Sequence, residues 1–236
     1  MFKSKFFWIT SILLFFISSI LVYSQFNPLK HPEPDRTVFT IARLKYGGGG
    51  DWYWGASAIP NMLRYLRENA NLRVAEESAE EVKVSIMDEN LFNYPFLFLT
   101  GHGNIKFSDE EVERLRTYLT HGGFLFANDS YGLDAAFRRE MKKVFPDKEL
   151  VDLPFNYGIY HCYYDFPNGL PKIHKHDEKP AQGLGIFQEG KLVVFYAYES
   201  DIGDGWEDPQ VHNDPPEKRE QALRMGVNNI TWAMMQ

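Results

Sequence analysis

Asn128-Asp129-Ser130-Tyr131-Gly132 carries the sharpest chemical signal in the chain. It follows the apolar run 123–127 and precedes a segment of helical character. A turn that tight between a buried strand and a helix lifts one side chain above the sheet and aims backbone N–H groups at whatever it touches. Asp129 or Ser130 is expected in the raised position. An aspartate there suits a base, a nucleophile or a metal ligand, and it suits equally an Asx-turn bonded to neighbouring amides. The GxSxG spacing is absent, so a serine nucleophile is not indicated. His161 lies in the stretch 157–165. Read as a strand, this stretch puts His161, Tyr163 and Asp165 on one face and Cys162 on the other. A histidine sharing a face with an aspartate can work as an acid/base pair, or it can be a satisfied structural residue. Asp129 and His161 are therefore the catalytic candidates, and Cys162 reads as a buried thiol.

Further candidates are binding groups. Gly47, Gly48, Gly49 and Gly50 precede Asp51, after a strand and before a helix. That context suits an anion held by backbone N–H groups. It also suits a flexible turn that folds Trp52, Tyr53 and Trp54 over the sheet edge. Neither GxGxxG nor a P-loop spacing is present. His102 stands between Gly101 and Gly103 at a strand end. Residues 199–207 combine Glu199, Asp201, Asp204 and Glu207 with Trp206. Acid beside aromatic suits sugar binding, and it also describes a plain loop with one packed tryptophan. His174 and His176 with Asp177 offer half a metal site, but Lys172, Lys175 and Lys179 surround them, which favours a solvated loop. The ligand-binding set is thus Gly49, Gly50, Asp51, Trp52, His102, Asn128, Ser130, Asp201 and Trp206, with no metal and no cofactor assigned.

The elements that must position these groups follow from local pattern. Residues 38–44, 96–99, 123–127 and 192–198 read as strands, two of them continuous apolar runs of the kind buried on both faces. Helices are predicted over 59–68, from Ser108 to about Thr120, over 135–144, and from Asp214 to about Met234. Ser108 with Glu111 forms a capping box, and Asp214, Pro215 and Glu217 give a cap, a first-turn proline and an acid at the third position. Strands alternating with helices imply an α/β domain whose mostly parallel sheet is covered on both faces. Ligands of such sheets collect at the carboxyl ends of the strands, which is where the candidate loops fall.

Composition limits the rest. An apolar fraction of 44% excludes wholesale disorder. One cysteine excludes a disulfide framework and a cysteine-built zinc site. A net charge of −7 argues against nucleic acid as partner. Lys3 and Lys5, the apolar run 6–22 and the 22–24 Val-Tyr-Ser step predict a signal peptide over 1–24, with a retained signal anchor as the alternative. Cleavage removes two lysines and no acid, leaving a charge of −9. The expected product is periplasmic or secreted, without membrane contact. Three prolines make 25–36 a linker, and 37–236 a single domain.

The runs GGFLFANDS at 122–130 and RLKYGGGGDWY at 43–53 combine with Thr100-Gly101-His102-Gly103, with His161 ahead of Tyr163-Tyr164-Asp165, and with Asp201 ahead of Gly205-Trp206-Glu207. Together they resemble a bacterial family of domains of unknown function in the class I glutamine amidotransferase-like superfamily, near trehalose-utilisation-like proteins. The resemblance covers 37–236. It implies a flavodoxin-like three-layer sandwich and sets residues 128–130 where amidotransferases carry their nucleophilic cysteine. No cysteine stands there. The expected function is therefore a non-catalytic cell-envelope module that binds a small molecule or carbohydrate. The alternatives are a hydrolase of an amide or glycosidic substrate, acting through Asp129 and His161, and a structural subunit with envelope protein partners.

Overall fold

The computed structural model describes residues 38–70, 72–75 and 81–236. The predicted signal peptide and linker lie outside the described residues. The elements run β1 (Ala42–Lys45), α1 (Ala58–Asn69), β2 (Val82–Ser85), β3 (Phe96–Leu99), α2 (Asp109–Thr120), β4 (Phe124–Asn128), α3 (Asp134–Val144), β5 (Val151–Asp152), β6 (Gln182–Gln188), β7 (Lys191–Tyr198), α4 (Pro209–His212) and α5 (Pro216–Met234).

Side chains on the central strands alternate between phenylalanine and smaller residues, and successive residues of a strand face opposite ways. Phe96, Phe98, Phe124, Phe126 and Phe195 form one face, under Ile59, Met62 and Leu66 of α1 and Met225, Val227 and Ile230 of α5. Leu97, Leu99, Leu125, Val194 and Tyr196 form the other, under Leu115 and Leu119 of α2 and Phe137, Met141 and Val144 of α3. Each such side chain stabilises the fold by roughly 1.5–3 kcal/mol when fully buried. The result is a three-layer α/β sandwich, with the mostly parallel sheet expected from the residue patterns and the flavodoxin-like form that the family resemblance implies.

The seven strands lie in the order β2-β1-β3-β4-β7-β6-β5. From β2 through β7 all neighbours are parallel. The chain leaves β1 in one direction to reach β2 and crosses back to reach β3, so the order reverses between β1 and β3. Beyond β7 the pairing turns antiparallel. The β6–β7 turn is made by Glu189 and Gly190, with φ of 51° and 80°. Both left-handed positions match the twist of a two-residue hairpin. No helix among the described residues is long and apolar enough to cross a membrane.

The predicted elements appear with shifted ends. The first strand begins at Ala42 rather than residue 38, because the Phe39 N–H and C=O bond Arg73 and Ala75 instead of a sheet strand. The capping box forms as expected, the Ser108 hydroxyl accepting from the Glu111 N–H and the Glu111 carboxylate from the Ser108 N–H. Helix α5 starts at Pro216, and Asp214 does not cap it, since its carboxylate binds His174. Strand β6 escapes sequence reading because of its glycines. At Gly183 a Cβ would stand 2.0 Å from the Tyr160 hydroxyl.

A charged side chain is buried within the apolar strands. Arg43, on β1, is fully buried over the Phe98 ring, 5.6 Å from its centroid. Its guanidinium donates to the Gly55 carbonyl at 2.8 Å, to the carbonyls of Trp52 and Trp54, and to the Glu81 carboxylate. Breaking a buried ion pair from one side leaves its partner charge uncompensated, at a cost of about 3–5 kcal/mol. Arg43→Leu is expected to lose stability of that order in urea unfolding. Arg43→Lys, which keeps the charge but not the fork of donors, should recover only part of it. Equal stability of the Leu variant and the wild type would contradict this role.

Candidate functional site

The reversal between β1 and β3 is the position at which open α/β sheets bind ligands. Here the loops after the two strands are joined backbone to backbone. Gly50 N–H donates to the Asn104 carbonyl at 2.9 Å, Lys106 N–H to Gly47 at 2.8 Å, and Asp51 N–H to His102 at 3.3 Å. A Cβ on Gly48 would lie 2.6 Å from the Lys106 nitrogen, and one on Gly50 2.7 Å from the His102 carbonyl. These glycines therefore permit close approach of two chain segments. The N–H groups of Gly50 and Asp51 are engaged within the protein, which removes them from the anion cradle that the sequence suggested. The Asp51 carboxylate accepts from the His102 backbone N–H and meets His102 Nδ1 at 3.0 Å. Both side chains remain partly open to solvent, at 27% and 38%. The Trp54 ring stands edge-on to His102, centroids 4.9 Å apart. Tyr53 projects outward and Trp52 packs against the aliphatic core. Gly49 faces open space, where a Cβ would meet nothing within 4 Å.

The turn after β4 departs from expectation. Asp129 and Ser130 are buried, and the raised residue is Tyr131, half exposed with φ of 86°. Asn128 explains the difference. Its amide donates to the hydroxyls of Thr100 and Ser130 at 3.2 and 3.0 Å and its carbonyl accepts from Gly203 N–H at 2.9 Å, drawing 128–130 into the sheet end. Asp129 forms the Asx-turn, one oxygen accepting from the N–H groups of Tyr131 and Leu133, each at 3.2 Å. Burial pushes its carboxyl up to about 6, and the negative charges of Asp134 and Asp201 push the same way. Tyr131 stacks on His176 at 4.8 Å and donates to Asp177. That carboxylate raises the phenol's pKa, so Tyr131 is not an activated nucleophile.

Histidines gather on the acids that follow β7. His174 and His176 do not occupy a solvated loop. Both meet one oxygen of the wholly buried Asp201, His174 through Nδ1 at 3.1 Å and His176 through Nε2. Two of the three surrounding lysines are held elsewhere, Lys172 on Glu199 at 3.0 Å and Lys179 on Asp177 at 3.1 Å. His174 Nε2 meets both oxygens of Asp214, at 2.9 and 3.0 Å. The carboxylates of Asp201 and Asp204 raise its pKa to about 10. His212 joins the same group, its Nε2 2.7 Å from Glu207. Sequence reading missed His212 and the role of Asp214. The available signal was density, since three of the chain's seven histidines lie between 174 and 212 among many acids. Trp206 is a packed tryptophan, with no exposed surface, against Phe98 and Phe126 and donating to the Ala222 carbonyl. It offers no ring to a ligand.

His161 stands apart from this rim. The stretch around it is a short 3-10 turn followed by a loop, not a strand. Asn228 of α5 causes this by bonding the carbonyls of Ile159 and Tyr164 and the Tyr164 N–H. His161 bonds Asp165 and the Phe155 carbonyl. The hydrogen-bond partners of Asp129 are Tyr131 and Leu133, so the two catalytic candidates do not form a pair. Cys162 is half-buried, donates toward the Asn228 carbonyl, and burial pushes its thiol up to about 11.

A carboxyl whose pKa is raised on folding favours the folded state below its ordinary value and loses that stability as pH climbs toward the raised one. Asp129 should therefore weaken the fold between about pH 4 and pH 6. Asp129→Asn keeps the acceptor for Tyr131 and Leu133 and removes the charge. Its stability relative to wild type is expected to improve from pH 4 to pH 8 by up to about 3 kcal/mol in chelator-containing buffer. A difference independent of pH would refute the raised value.

A search of curated proteins finds no match to this sequence. A family model described as "Domain of unknown function (DUF4159)" matches residues 40–234, from just before β1 to the end of α5. That span holds both faces of the sandwich and every wall of the rim, and the chain belongs to the DUF4159 family.

Proposed function

We propose that this chain is a binding module for a neutral, hydroxyl-rich ligand of the carbohydrate class, seated at the β1/β3 reversal. The observation that carries the reading is the part-exposed Asp51–His102 pair at that position, with Tyr53 exposed beside it. A carboxylate accepts from sugar hydroxyls, the imidazole can donate or accept, and an aromatic ring packs on the C–H face of a sugar. The acids behind the rim, Asp129, Asp201, Asp204 and Glu207, are all buried and disfavour an anionic ligand. The turn after β4 offers no thiol and no hydroxyl raised toward solvent other than the un-activated Tyr131 phenol, which favours binding over covalent catalysis. We further assign the chain to the glutamine amidotransferase-like superfamily. The strand order and the left-handed Tyr131 at the elbow support this. Export to the periplasm or secretion remains part of the proposal, on the strength of residues 1–24.

A second reading is hydrolysis of an amide or glycosidic bond, with Asp129 as proton donor or acceptor. The raised pKa near 6 favours it, although without His161 as partner.

Thermal shift followed by calorimetric titration with envelope oligosaccharides tests the first reading. At least one is expected to stabilise the protein and remain chemically intact. Asp51→Asn and His102→Gln should each weaken its binding about tenfold or more, equivalent to about 1.4 kcal/mol. Binding indifferent to both variants, or no binding by any member of the set, overturns the reading. Cleavage of the bound sugar that Asp129→Asn abolishes would establish the second reading instead.

A further inference from the structure

We propose that His174, His212 and Asp204 form a binding site for one divalent transition-metal ion of the zinc class. The three residues come from the loop before β6, the end of α4 and the short turn after β7, in that order. Each presents one ligand atom, and the three atoms lie within 4.8 Å of one another. Asp204 Oδ2 is 3.7 Å from His174 Nδ1 and 3.8 Å from His212 Nε2. Tetrahedral zinc with bonds of about 2.0–2.1 Å holds its ligand atoms about 3.3–3.4 Å apart. A contraction of a few tenths of an ångström, within reach of side-chain rotation, closes these two distances onto an ion.

The neighbours orient the ligands as they do around a metal. Asp214 holds His174 Nε2 in a two-oxygen contact. Nδ1 faces Asp201 and Asp204, and an ion bound there would take the place of the Nδ1 proton while Asp214 keeps the ring oriented through Nε2, the carboxylate–histidine–metal arrangement. Trp54 Nε1 donates to Asp204 Oδ1 at 3.3 Å, which leaves Oδ2 for the ion. An independent observation comes from Asp201. This side chain is wholly buried and touches His174 Nδ1 through Oδ2, yet its Oδ1 has no hydrogen-bond partner. A buried carboxylate oxygen without a partner costs the fold free energy, and positive charge held at the adjoining His174 would offset part of that cost. Glu207 adds further negative charge, but its contact of 2.7 Å is with the same His212 Nε2, so the ion would replace the proton shared there.

Two imidazole nitrogens select the ion class. Magnesium and calcium take oxygen ligands, whereas mixed nitrogen and carboxylate sets suit zinc and its neighbours. The imidazoles of His174 and His212 are each about one-fifth exposed, which gives the ion a path from solvent and leaves a coordination position open to water. The assignment does not rest on the carbohydrate reading, because the ion alone is the probe.

The test uses the full chain, stripped with chelator and titrated calorimetrically with Zn2+ and, in parallel, Mg2+ and Ca2+. One Zn2+ per chain is expected, with a rise in unfolding temperature and no comparable response to the other two ions. Asp204→Asn and His212→Gln, each checked for native circular dichroism, should weaken Zn2+ binding at least about 100-fold. His161→Gln, which alters a histidine outside the cluster, should leave it unchanged. Cobalt substitution should give the intense visible absorption of a low-coordinate nitrogen/oxygen site, lost in Asp204→Asn. Absence of stoichiometric Zn2+ uptake by the wild type overturns the proposal whatever the variants do. So does uptake that survives both substitutions, or that His161→Gln reduces equally.

Discussion

A buried guanidinium organises the carboxyl ends of this sheet. Arg43 sits on a central strand, where burial of a charge is tolerated only with full hydrogen bonding. Its donors reach the carbonyls of Trp52, Trp54 and Gly55, so the loop after β1 has little freedom to leave the sheet. That loop carries Asp51, which holds the loop after β3 through His102. It also carries Trp54, which reaches across to Asp204. One cation thus fixes the relative positions of three of the walls around the rim. The planar fork of arginine, with several donors in fixed directions, suits this task in a way a lysine point charge does not.

The counterpart of that cation is a concentration of buried acid. Asp129, Glu199, Asp201, Asp204 and Glu207 are all nearly inaccessible, and all lie at or just beyond the carboxyl ends of β4 and β7. Different partners face them. Glu199 has Lys172. Asp201, Asp204 and Glu207 have imidazoles. Asp129 has a raised proton affinity instead. A fold that places so many carboxylates behind one rim gives up stability there, as functional sites commonly do. The phenylalanine face beneath, with Trp206 at its end, offsets that loss with closely packed rings.

The layered fold is legible in the sequence because its signals are local. The run 96–99 and the run 123–127 are apolar nearly throughout, and Ser108 with Glu111 announces a helix start by itself. Strands β2, β5 and β6 are not legible. Two are short or polar, and β6 carries glycines required by the Tyr160 and Phe195 side chains that pack over it. The rim is legible in part. Asp51, His102, Asn128 and Ser130 stand out by their places after strands, and at the sheet end Asp51 does meet His102 and Asn128 does meet Ser130. The errors come from long-range partners. Tyr131 rather than Asp129 is raised because Asn128 bonds Gly203, 75 residues away. His174 turns inward because Asp201 and Asp214 hold its two ring nitrogens, while Lys172 and Lys179 find carboxylates elsewhere. His161 leaves the site because a helix asparagine far along the chain captures its loop. None of these partners is visible in the residues flanking the motif.

The sulfur of Cys162 has a consequence for the molecule's chemical lifetime. With its proton affinity raised to about 11, only about one thiol in ten thousand is ionised at neutral pH. Exchange with external disulfides proceeds through the ionised form, so burial of the thiol slows cross-linking between copies. The chain's one cysteine is thus guarded against disulfide exchange by packing against α5 rather than by pairing with a second cysteine.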